Sequence, residues 1–173
     1  SLYPNGVKYL LNTLLIVSIG YINLANAAPN ETIGKKDLIS IKNAWVRPTS
    51  AGQDVGAAYM TLTSTRNLDI LSVESNVTNA VEIHSMTMDN GVMKMRMLDK
   101  LTLTADKPYK LEPGGFHFML FDLKKPLILG EQVSFTLNFA VKNNKKQTTK
   151  LKQTISATVQ SSAEDQPNSA HKH

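Results

Sequence analysis

Residues Val133-Ser134-Phe135-Thr136-Leu137-Asn138-Phe139-Ala140-Val141 are apolar at every odd position and small or polar at every even one. An extended chain turns successive side chains to opposite faces, so a period of two predicts a strand with one buried face. Residues 151–159 repeat the pattern, with Leu151, Ile155 and Val159 set against Lys150, Lys152 and Thr154. Shorter runs predict strands at 38–46, 57–63, 68–73, 81–88, 92–98, 101–103 and 116–120. Turn-forming groups separate them: Asp89-Asn90-Gly91, Asp106-Lys107-Pro108, Pro113-Gly114-Gly115 and Asn143-Asn144. Beyond the first segment there is no helical period of useful length and no internal repeat. About eight or nine short antiparallel strands at this spacing predict an all-β Greek-key barrel or sandwich.

The two ends break the pattern. After Lys8 an apolar stretch runs from Tyr9 to Tyr21 and is followed by Ala25-Asn26-Ala27. A short positive region, an apolar stretch and a small-x-small triplet are the parts of a secretory signal, predicted here as 1–27 with cleavage after Ala27. Asn12 and Asn23 interrupt the stretch, which is short for a membrane span of about 20 residues. The expected product is therefore exported, without a stable membrane anchor. Residues 28–36 and 161–173 are polar and aperiodic and are expected to be flexible tails around one β domain at 37–160.

Composition narrows the chemistry. A chain of 173 residues with 42% hydrophobic and 19% charged residues suits one globular domain. It has no cysteine, which within these residues excludes a disulfide framework, thiolate metal sites, thiol redox catalysis, a lipoprotein anchor and the blue-copper ligand set. The net charge of +5 describes a field and not a fold, and no nucleic-acid partner is expected from it. Lys142, Lys145, Lys146, Lys150 and Lys152 read as a solvated hairpin edge that discourages edge pairing.

Methionine is the specific feature. Met86, Met88, Met93, Met95, Met97 and Met119, six of the seven, lie close in sequence to His84 and His117. In Phe116-His117-Phe118-Met119-Leu120, strand parity puts Phe116, Phe118 and Leu120 on one face and His117 with Met119 on the other. The same parity groups His84, Met86 and Met88 opposite Val81 and Ile83, and groups Met93, Met95 and Met97 opposite Lys94 and Arg96. Thioether sulfur is soft and neutral, so with imidazole it selects Cu(I) over zinc, magnesium or calcium. Outside the cytoplasm methionine also avoids the disulfide formation open to paired thiols. The competing reading is packing, since methionine fills irregular core space. Met93 and Met97 are open to both readings, and Met60, between Tyr59 and Thr61, is expected in the core.

The spacing His84, ten residues, Met95, twenty-one residues, His117, one residue, Met119 resembles the signature of the periplasmic copper chaperones called PCu(A)C. Further segments are similar to that family: Ala44-Trp45-Val46-Arg47, Ala57-Ala58-Tyr59-Met60, Asn90-Gly91-Val92-Met93-Lys94-Met95-Arg96 and Pro113-Gly114-Gly115-Phe116-His117-Phe118-Met119-Leu120. The resemblance spans about residues 39–141. It implies a periplasmic protein with a cupredoxin-like β-barrel that binds Cu(I) near its surface through His84, Met95, His117 and Met119. It also implies delivery toward the binuclear copper site of cytochrome c oxidase, directly to that copper-site subunit or through a Sco-type protein. Met86, Met88, Met93 and Met97 fall outside the signature and remain candidates. In the C-terminal tail His171 and His173, with the chain carboxylate, offer nitrogen and oxygen donors suited to a second ion, Cu(II); a plain polar end is the alternative.

Other functions fare worse on these residues. An enzyme is not expected, because the body holds only His84 and His117 and lacks a nucleophile elbow or a paired-carboxylate signature. Electron transfer by a cupredoxin lacks its cysteine ligand. A copper storage or resistance protein, or a structural β-sandwich with a methionine-rich core, remains as the alternative.

Overall fold

A computed structural model describes residues 37–162. The predicted signal at 1–27, the tail at 28–36, and His171 and His173 lie outside the described residues. Ten strands follow in order: β1 Ile39–Val46, β2 Gly56–Ser64, β3 Leu68–Ser75, β4 Ala80–Asp89, β5 Val92–Leu98, β6 Leu101–Leu103, β7 Tyr109–Leu111, β8 His117–Phe121, β9 Gln132–Lys142 and β10 Thr148–Val159. Among the described residues no helix is long and apolar enough to cross a membrane.

The strands form one sheet in the order β5-β4-β8-β2-β1-β10-β9-β3-β6, with β7 also paired to β2. The path is not closed by pairing: β5 and β6 are its ends. The all-β, cupredoxin-like expectation holds, with two refinements. There are ten strands rather than eight or nine, because Tyr109–Leu111 forms a three-residue strand against Met60, Thr61 and Leu62. In addition, β1 runs parallel to β10 through Trp45↔Thr158 and Val46↔Val159, whereas the other pairs are antiparallel. The Lys-rich hairpin joins β9 to β10, and both strands lie inside the sheet path rather than at its edge.

Alternation carries through to burial. Val133, Phe135, Leu137, Phe139 and Val141 of β9 are all buried, as are Phe118 and Leu120 of β8 and Ala58, Met60 and Leu62 of β2. Phe118 and Phe135 meet with ring centroids 5.9 Å apart. Met60 is a core residue, as expected. Ile83 of β4 faces the same interior, so the opposite parity of β4 and β8 points to the outer side of the sheet.

One irregularity bears directly on that outer side. β7 and β8 run along the same edge of β2, opposite Met60–Leu62 and Gly56–Ala58 respectively. The chain between them loops out, closed by hydrogen bonds from Glu112 N–H to Phe116 O and from Gly115 N–H to Glu112 O, both 2.9 Å. Gly114 in this loop has φ +80°, a left-handed conformation that costs glycine little. The Pro113-Gly114-Gly115 turn is thus an excursion within a strand line and delivers the chain directly into His117.

Candidate metal centre

The site is built from residues that share a face by register. In β4–β8, His84 lies opposite His117 and Glu82 lies opposite Met119. In β4–β5, His84 lies opposite Met97, Met86 opposite Met95, and Met88 opposite Met93. Directly opposite residues project to the same side, and residues two apart on one strand do likewise. His84, His117, Met95, Met119, Met97, Met86, Met88, Met93 and Glu82 therefore all stand on the outer face of β8–β4–β5. The imidazoles occupy the middle row. Met119 is one row to one side of it, and Met95 is one row toward the hairpin tip.

The two histidines are buried although they lie on the outer face, at 8% and 4% exposure for His84 and His117. Rings cover them. His84 and His117 have centroids 5.6 Å apart, Phe121 lies 5.8 Å from His84, and Tyr59 lies 6.3 Å from His117. Trp45 continues the row at 4.7 Å from Tyr59, and the Arg47 guanidinium sits over both of those rings at 5.5 and 5.8 Å. An aromatic shelf thus extends from β1 to the histidine pair.

Each imidazole has one nitrogen committed and one not. Nδ1 of His117 is 3.0 Å from the carbonyl oxygen of Gly115, so it must carry the proton and donate, leaving Nε2 with its lone pair. Nε2 of His84 is 2.6 Å from Oε2 of Glu82, while Nδ1 of His84 is buried with no hydrogen-bond partner. A buried polar atom without a partner needs an explanation. Here a neutral Nδ1 lone pair is available to an ion, while the carboxylate fixes the tautomer from behind, as partners of metal-binding histidines do. Burial pushes the His117 imidazole below its ordinary pKa; the hydrogen bond to Gly115 opposes this, and the nearby His84 adds to it. A low pKa keeps the ring neutral and therefore able to ligate.

Among the described residues no group of three His, Cys, Asp or Glu side chains could hold a metal ion. The further donors that register places beside the two imidazoles on this face are thioethers, which favour a soft ion. Met119 is partly buried, whereas Met95 is 44% exposed, so the two thioethers differ in their access to solvent. Met97 stands directly across from His84 but is 57% exposed.

Sequence reasoning missed Glu82, the Gly115 carbonyl and the aromatic cover. Glu82 had a usable signal: it is two residues before His84 and hence on the same strand face. Gly115 had none, since a backbone carbonyl is invisible to side-chain motifs.

A sheet of this order with histidine and methionine gathered on its outer face is a PCuAC-type fold. It superposes on the "Copper-bound PCuAC domain from PmoF2" with a TM-score of 0.53 at 23% identity, covering 73% of this chain and 95% of that one. The "apo PmoF2 PCuAC domain" gives a TM-score of 0.52 at 25% identity, covering 71% and 90%. The chain belongs to the LpqE-like family, whose model, described as "Putative lipoprotein LpqE-like", matches residues 39–152. Among relatives, "Putative lipoprotein Lxx21020" of Leifsonia xyli subsp. xyli is 28% identical over 115 residues, 65% of this chain and 69% of that protein. "Uncharacterized protein RP573" of Rickettsia prowazekii is 27% identical over 124 residues, 68% of each. The 173 residues here contain no cysteine that could carry a lipid.

Proposed function

We propose that the protein is a periplasmic copper chaperone that carries Cu(I) as cargo on His84, Met95, His117 and Met119. It releases the ion toward the binuclear copper site of cytochrome c oxidase, either to that copper-site subunit or through a Sco-type protein. The observation that carries the reading is the histidine pair. His84 and His117 face each other across β4 and β8, each holding one nitrogen by a hydrogen bond and leaving the other for a ligand. Two neutral imidazoles and two neutral thioethers suit Cu(I) and add no charge that would have to be stripped away on release. The copper-bound PmoF2 domain of the same fold supports copper as the metal, and the lipoprotein name of the Leifsonia relative supports export. A second, Cu(II) ion on His171 and His173 forms part of this proposal, as does cleavage after Ala27. The protein performs no turnover in this reading.

The experiment is a Cu(I) competition titration of the wild type and Met119→Leu under reductant. One tight equivalent is expected in the wild type. The leucine keeps volume and apolarity while removing the sulfur, so copper should weaken at least tenfold with stability changed by less than about 1.5 kcal/mol. Unchanged Cu(I) affinity in the variant refutes the site.

A further inference from the structure

The β4–β5 hairpin carries more thioethers than the four-ligand site uses, and packing does not account for them. Met88, Met93, Met95 and Met97 are 65%, 47%, 44% and 57% exposed, so they fill no core. Methionine is not among the residues favoured in strands, where valine, isoleucine and threonine would serve an exposed pleat better. The opposite face of the same hairpin is conventional, with Thr87, Lys94 and Arg96, and an ion pair between Lys94 Nζ and Asp89 Oδ2 at 2.8 Å. One face is therefore mainly polar, Val92 excepted, and the other carries the sulfur. The register aligns that sulfur face: Met88 opposite Met93 at the tip, Met86 opposite Met95 one row inward, and then His84.

Opposed residues on one face hold their Cβ atoms about 5 Å apart, and successive rows lie about 7 Å apart. Methionine has three rotatable bonds beyond its backbone, so the sulfurs of Met86, Met88 and Met93 can converge on one ion between the rows. We propose that these three residues form a second Cu(I) station at the outer end of the hairpin. Met95, in the same row as Met86 and one row from the histidine pair, shares the ion in passage. Movement along the hairpin is ligand exchange: one copper–thioether bond forms as another breaks, every donor is neutral, and copper stays Cu(I) throughout. No electron moves at any step, and no proton moves among the thioethers. The direction of passage, inward or outward, rests on His84 and His117 being the inner ligands as proposed above; the station itself does not.

The test follows the methyl resonances of 13C-methyl-methionine in the full chain as Cu(I) is added under reductant. The first equivalent is expected to shift Met119 and Met95, and the second Met86, Met88 and Met93. The double variant Met88→Leu, Met93→Leu keeps the face apolar and removes two sulfurs. It should lose the second equivalent, keep first-site affinity within about twofold, and surrender the first ion to an external Cu(I) chelator about tenfold more slowly. The two proposals fail separately. Hairpin methyls that shift while Met119 does not would remove the inner site and leave the station standing. Met119 shifting alone, with no second equivalent in the wild type, or a second equivalent that survives in the double variant, overturns the station.

Discussion

Glu82→Gln and Glu82→Leu test the orientation of the site from a residue outside any signature. In the structure the Glu82 carboxylate lies 2.6 Å from His84 Nε2, a short contact of the charge-assisted kind. It holds the proton on Nε2 and leaves Nδ1 buried and unpartnered, the nitrogen that the proposed site would offer to copper. Loss of such a supporting partner typically weakens metal binding by about 10- to 100-fold, or about 1.4 to 2.7 kcal/mol. The Glu82 side chain is 41% exposed, which screens its charge and places the glutamine variant near the lower end. Glutamine can still accept the Nε2 proton through its amide oxygen. Leucine cannot, and should fall near the upper end. Affinity is read by chelator competition at pH 7.5, and the tautomer by the 15N shifts of His84, which should move from Nε2–H toward a mixture in Glu82→Leu. Unchanged or tighter Cu(I) binding in Glu82→Leu would refute the reasoning. It would mean that copper uses Nε2 and that the carboxylate competes with the ion instead of supporting its ligand.

Three further outcomes are expected. Cu(I) affinity should be flat above about pH 7.5 and should fall with acid, approaching two decades per pH unit while both imidazoles bind. Because burial lowers the His117 pKa, its proton competes only below the ordinary value of about 6.5, and competition titrations from pH 5 to 8, corrected for the chelator, read the curve. The same shift acts on stability: the neutral ring's contribution is complete above the unfolded-state pKa and is lost as pH falls through the folded one, since the unfolded chain takes up the proton first. Thermal melts of the copper-free protein across that interval check the sign. Phe118→Ala, at a site with no solvent exposure beside Phe135, should cost about 3 to 5 kcal/mol in urea unfolding. Deleting residues 170–173 should remove any Cu(II)-selective event in calorimetry and leave Cu(I) binding intact, because the two ions use different donors.

The strands were legible wherever one face is buried. Residues 133–141 spell out the burial of β9 position by position, and the split of Phe118 and Leu120 from His117 and Met119 appears in the structure as core against outer face. Tyr109–Leu111 was not legible, because a strand of three residues is too short to show a period. The parallel contact of β1 with β10 was hidden as well: it joins elements more than a hundred residues apart through two residue pairs, and neither strand's own pattern records its neighbour. In the site, spacing identified a set of donors but not their depth. Periodicity assigns a side chain to a face without saying whether other rings cover that face, so buried His117 and exposed Met97 looked alike in sequence.

Within β8, consecutive residues face different ways: Phe118 and Leu120 hold the interior while His117 and Met119 stand on the outer face, where the proposed ion would bind, with the thickness of one strand between them. Changes to the donor set therefore need not disturb what keeps the chain folded, and changes to the interior need not alter the ion that is chosen. Selection, or an engineer, can retune the outer face residue by residue, exchanging a thioether for an imidazole or the reverse, while the apolar interior on the other side of the strand stays as it is. The low identity among chains sharing this fold, 23% and 25% to the PmoF2 domains, is what such a separation permits.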